Sequence, residues 1–87
     1  MTEEILKEDE SNVEIIRIAR RNIANLRAEK IVKRSESWAD ATGTAKEKED
    51  YVRSVVADID RDIANEEANI EYLYNKNRIL DYKLNYE

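Results

Sequence analysis

The chain has no cysteine, no histidine, no proline and no phenylalanine, and its only glycine is Gly43. Each absence excludes something. Without cysteine there are no disulfides and no thiolate chemistry, and small secreted scaffolds ordinarily rely on disulfides, so a cytoplasmic setting is expected. Without histidine the commonest general base and the commonest metal ligand are missing. No apolar run approaches the roughly 18–20 residues that cross a bilayer, and no membrane partner is expected. Residues 1–10 are acidic and carry no apolar stretch, so they do not read as a signal peptide. A chain of this kind is not expected to be an enzyme, nor to take a cofactor, a metal or a small-molecule substrate, because a thin helical seam seldom encloses a pocket.

What is present is charge and helix formers. Charged residues make up 40% of 87 residues, with a net charge of −5. Glu, Lys, Arg, Ala, Ile and Leu dominate, which is the composition of long helices. With no aromatic-rich core available, the interior must be a narrow aliphatic strip. A chain of this length stands near the limit at which one core suffices.

The strip is clearest after residue 44. Val52, Val56, Ile59, Ile63, Ile70, Leu73, Leu80 and Leu84 alternate three and four apart, with Glu66 and Asn77 in the two steps that lack a hydrophobe. This heptad seam predicts one helix over 45–86, packed along another helix. A weaker seam, Ile16, Ala19, Ile23 and Leu26, is flanked by Val13 and Ile31 and falters where Lys30 and Lys33 reach it. Ile15, Ile18 and Val32 lie off that seam, so either the first helix is apolar on more than one side or a second partner covers it. Ser11, Asn12, Val13 and Glu14 form a capping box that predicts a helix over 12–40, with residues 1–11 as an acidic lead. Gly43 marks a turn at 41–44, and Thr44, Ala45, Lys46 and Glu47 form a second capping box directly after it.

The expected fold is therefore all-α: an antiparallel two-helix hairpin, coiled-coil-like, dimerising into a four-helix bundle because a lone hairpin with so thin a core is of doubtful stability. At ~1.5 Å per residue a helix over 45–86 is ~60 Å long and one over 12–40 only ~42 Å. Antiparallel partners should have numbers summing to about 84, and the chain beyond Tyr72 should overhang unless residues 1–10 extend the first helix. That overhang holds Tyr72, Tyr74, Tyr82 and Tyr86 beside Ile79. Tyr72, Ile79, Tyr82 and Tyr86 are candidate protein-interface residues, together with Trp38 at the turn, which either packs on the opposite helix or stands out as a binding anchor. Asn77 and Glu66, polar residues on the seam, are candidates for fixing register or oligomer state; Glu66 is expected to pair with Arg17 or Arg20.

Charge is segregated. Residues 17–34 carry seven basic side chains (Arg17, Arg20, Arg21, Arg27, Lys30, Lys33, Arg34) against Glu29 alone, and 58–71 carry six acids against Arg61 alone. The two blocks can face each other and select one register, with Arg17, Arg20 and Arg21 beside Glu66, Ala64 and Ile63. Left free, the basic block would suit nucleic acid. An acidic nucleic-acid mimic and a plain coiled-coil spacer are further alternatives. Asp58, Asp62 and Glu66 step by four, but the helical carboxylate metal sites that use such spacing also need a histidine, so a solvated acidic face, or partners for the basic block, is the preferred reading.

No family motif is present. The brevity, the Asn-, Ile-, Tyr- and Lys-leaning usage and the missing residue types resemble small phage or mobile-element proteins. The Tyr-rich end and the thin core point to a non-enzymatic protein–protein interaction module acting as a homodimer; the resemblance implies that it is a regulator or inhibitor of a host protein in the host cytoplasm.

Overall fold

The computed structural model describes residues 2–86; Met1, the first residue of the expected acidic lead, and Glu87 lie outside them. Helix α1 spans Thr2–Asp40 and helix α2 spans Ala45–Tyr86, packed against each other along their length as a hairpin measuring 63 × 17 × 13 Å. The described residues contain no strand.

The turn follows its local chemistry. Ala41 N–H donates to the Ser37 carbonyl at 2.9 Å, closing α1. Gly43 then adopts φ +102°, the left-handed region that only glycine enters without penalty. The Glu47 carboxylate lies where a β-carbon on residue 43 would collide with it. Thr44 caps α2: its Oγ1 accepts from Glu47 N–H at 3.2 Å, and its carbonyl accepts from Lys48 N–H at 2.9 Å.

The core is the aliphatic strip. Val52, Val56, Ile59, Leu73 and Leu80 from α2 are buried against Ile16, Ala19 and Ile23 from α1, with Ile63, Ile70, Leu84 and Leu26 half-buried. Asn12, Ser37 and Asn77 are buried among them.

Three expectations about α1 require correction. The helix does not start near Asn12, and the acidic lead is not a separate segment: α1 runs from Thr2, Ser11 is exposed in mid-helix, and Glu14 pairs with Arg17 at 2.9 Å instead of closing a capping box. A cap stabilises by ~1 kcal/mol, whereas Asn77 meets Asn12 and Asp9, so residues 2–11 lie level with Leu80 and Leu84, and burying a single leucine outweighs that. The overhang beyond Tyr72 is consequently absent from the seam, since Leu80 is buried and Leu84 half-buried. The register also differs. Arg27 faces Glu67 and Lys30 faces Asp60, further along α2 than a fold about residue 42 would set them. In an antiparallel pair every side chain leans toward the N-terminus of its own helix, so α1 side chains in the seam and on this edge meet α2 residues further from the turn, whereas Glu8 and Lys76 keep the register expected from the turn.

Candidate functional site

Interhelical contacts divide the hairpin into two edges. On one edge Arg20 donates to the Tyr74 hydroxyl and lies 5.3 Å from the centre of its ring, and Arg27 reaches Glu67 at 3.4 Å. Lys30 and Asp60, at 2.5 Å, continue this edge toward the turn. On the other edge Lys76 meets Glu8 at 3.0 Å, and Glu8 holds the Lys76 ammonium above its ordinary pKa by hydrogen bonding and by charge. Between the edges, in the seam, Asn12 Nδ2 donates to Asn77 Oδ1 at 2.8 Å, and Asn77 Nδ2 reaches the Asp9 carbonyl at 3.5 Å. Asp9 is half-buried here, and desolvation, then Asp81 across the helix pair, then Glu10 push its carboxyl pKa upward.

The candidate nucleic-acid contacts are largely committed within the chain. Arg17 pairs with Glu14, Lys33 with Glu29, Arg27 with Glu67 and Lys30 with Asp60, while Arg20 rests on Tyr74. Arg21 and Arg34 are exposed. The basic and acidic blocks do meet, but through Arg27 and Lys30, not through Arg17, Arg20 and Arg21 beside Glu66, Ala64 and Ile63. Glu66 has neither Arg17 nor Arg20 as its partner. It lines an open groove with Asn22, Asn25, Leu26, Asp62 and Asn65. The amide of Asn77 is engaged by Asn12 of the same chain. Among the described residues no group of three Asp or Glu is placed to hold a metal ion, and no helix is long and apolar enough to cross a membrane.

The candidate interface residues are exposed but not gathered. Tyr72, Ile79 and Tyr86 recur every seven residues along one stripe of α2, exposed at 58–75%. Tyr82 joins this stripe at its end, its ring centre 5.0 Å from that of Tyr86. Trp38 sits at the turn, at the opposite end of a 63 Å rod. It is 46% exposed, with the Lys48 ammonium of α2 5.5 Å from its ring centre, so it touches the opposite helix and still presents a free face.

A further set of residues completes the groove-bearing face. The groove brings Asn25 of α1 beside Asn65 of α2. One heptad toward the termini, the same rows hold Ile18 and Tyr72, with Ile15 next to them; one heptad toward the turn they hold Val32 and Asp58, with Val55 and Tyr51 nearby. Ile15, Ile18, Val32, Tyr51, Val55 and Tyr72 are 36–60% exposed. Sequence reasoning sets Ile15, Ile18 and Val32 off the seam, and the structure places them on one side of the rod. The pairing of Asn12 with Asn77 and of Arg20 with Tyr74 escaped it. Asn12 stands seven residues before Ala19 in the seam, and that spacing was the available signal.

No family model matches the chain, and neither a curated protein nor a solved structure matches it.

Proposed function

We propose that the chain is a non-enzymatic protein–protein interaction module, a small regulator or inhibitor of a protein target. One observation carries this: among the described residues fourteen large apolar side chains are exposed, while the buried core holds eight apolar residues. Ile15, Ile18, Val32, Tyr51, Val55 and Tyr72 among them share one side of the rod, and apolar surface gathered on one side of a small protein marks a place where something docks. Tyr82 and Tyr86, with the free face of Trp38, are the contact residues for a target, because large rigid aromatics give the most contact area for the least lost side-chain freedom. The nucleic-acid reading has less support, because four of the seven basic residues lie within ion-pair reach of a carboxylate.

The test is to compare Tyr82→Ala and Tyr86→Ala with Arg20→Ala and Arg21→Ala. An interaction module loses its protein target on the tyrosine changes and keeps its helicity. Affinity for single-stranded RNA or duplex DNA that falls steeply with salt and vanishes on the arginine changes would replace it with the nucleic-acid reading.

A further inference from the structure

The groove-bearing face has an ordered pattern. Its middle is polar, built from Asn22, Asn25, Asp62, Asn65 and Glu66. Exposed apolar side chains flank that belt on both sides: Ile15, Ile18, Tyr72 and Ile79 toward the termini, and Val32, Val55 and Tyr51 toward the turn, with the Glu8–Lys76 pair and Asp58 as charged groups among them. The opposite edge lacks this symmetry, being occupied by the Arg20–Tyr74, Arg27–Glu67 and Lys30–Asp60 contacts.

From this we infer that a second copy of the chain docks antiparallel across this face, with the asparagine belt on the two-fold axis, giving a four-helix bundle. The inference rests on the interaction-module reading and assigns part of its surface to self-pairing. Three considerations select a second copy as the occupant. A two-fold interface must be complementary to itself, and a polar belt with an apolar patch on each side matches itself when turned end over end. Carboxamides are both donors and acceptors, so they can pair with their own kind; the chain already does this where Asn12 meets Asn77. The register then closes. Setting Asn25 over the partner's Asn22 places Ile15 over the partner's Val32, and setting Asn65 over the partner's Asn65 places Ile79 over the partner's Tyr51; the same settings bring Ile18 to the partner's Glu29 and Tyr72 to the partner's Asp58, where an added acid would face an acid. The third consideration is area. A face 63 Å long and 13–17 Å wide offers roughly the ~800 Å² per partner that a standard stable interface buries.

Such docking has a consequence for the target site. In one hairpin Trp38 and the Tyr82–Tyr86 pair stand at opposite ends. In the antiparallel bundle the turn of one copy lies level with the helix termini of the other, so Trp38 of one copy and Tyr82 and Tyr86 of the other share an end, and each end presents one such set.

The test begins with the solution mass of the full chain by light scattering at micromolar concentration. The expected mass is twice 10.2 kDa. Ile18→Glu combined with Tyr72→Glu should give a single-chain mass with unchanged helicity. Leu6→Glu with Val13→Glu, on the other edge, should leave the dimer intact and thereby exclude a general effect of added charge. The chain has no cysteine of its own, so orientation can be read by mixing a Tyr51→Cys chain with an Ile79→Cys chain. Antiparallel docking gives predominantly the mixed disulfide. A parent chain of 10.2 kDa, a dimer indifferent to Ile18→Glu and Tyr72→Glu, or predominantly like-with-like disulfides would each overturn the proposal. A monomer that still loses a captured target on Tyr82→Ala would leave the module reading standing while this inference falls.

Discussion

The two helices are nearly equal in length, 39 and 42 residues, and use their apolar residues in opposite ways. On α2 most aliphatic residues point inward, and the seam is interrupted only at Glu66 and Asn77. On α1 the buried positions include Asn12, Ala19 and Ser37, with Lys30 half-buried, while Val13, Ile15, Ile18, Ile31 and Val32 are exposed at 41–68%. The hairpin is therefore organised by α2. Much of the apolar content of α1 contributes little to the pair and is available for a further surface. Amphipathicity on one helix specifies the fold; its dilution on the other marks where function is to be sought.

The largest test of this difference is a pair of truncations of the same residue type. Ile59→Ala, in the α2 seam at 5% exposure, should cost ~2–5 kcal/mol, which lowers the melting temperature by more than ~10 °C in a domain of this size. Ile31→Ala, at 68% exposure on α1, should lie within ~0.5 kcal/mol of the parent. Equal losses in thermal unfolding would show that α1 has another buried face and would abolish the contrast.

A smaller effect is expected at the polar interruption that the helices share. Asn12→Ala leaves the Asn77 amide buried without its 2.8 Å partner and should cost ~1–3 kcal/mol. Replacing both with leucine should recover stability, as apolar residues do at seam positions, but relax the register. Paramagnetic or fluorescent distance measurements across the pair would detect the slip. Retention of a single register in the double variant would show that Arg27–Glu67, Lys30–Asp60 and Glu8–Lys76 suffice to hold it.

The smallest effect concerns pH. The Asp9 carboxyl has its pKa raised by desolvation, Asp81 and Glu10. An acid whose folded pKa lies above its unfolded value destabilises the fold wherever it must ionise. Stability from this group is complete below the ordinary carboxylate pKa of ~4 and declines as pH rises through the folded value. Asp9→Asn should therefore raise the melting temperature at neutral pH, and the gain should vanish in acid. A gain that persists unchanged in acid would mean that the effect is not ionic.

The fold class, the turn and the α2 seam were legible because their signals are local and mutually consistent: an unbroken heptad repeat, one glycine where a left-handed residue is required, and Thr44 three residues before Glu47. The extent of α1 was not. The capping box at Ser11 is a sound local signal, but it competes with the need to cover Leu80 and Leu84, which lie more than sixty residues away in sequence. The register was missed for a related reason. Counting from the turn places Glu8 beside Lys76 correctly but ignores the lean of side chains toward their own N-termini, which carries Arg27 to Glu67 and Asn12 to Asn77. The candidate surface was legible in part. Tyr72, Ile79, Tyr82 and Tyr86 stand out by composition, but the alignment of Asn25 with Asn65, and hence of Ile18 with Tyr72, exists only once the helices are set side by side.

Small-angle X-ray scattering from the full chain tests the central claim, that one face of α1 and α2 folds the hairpin while a second takes another chain alongside it. The expected particle has the mass of two chains and a maximum dimension close to the 63 Å of one hairpin. A particle of single-chain mass with a radius of gyration near 19.3 Å, or one of two-chain mass and nearly doubled length, would contradict it.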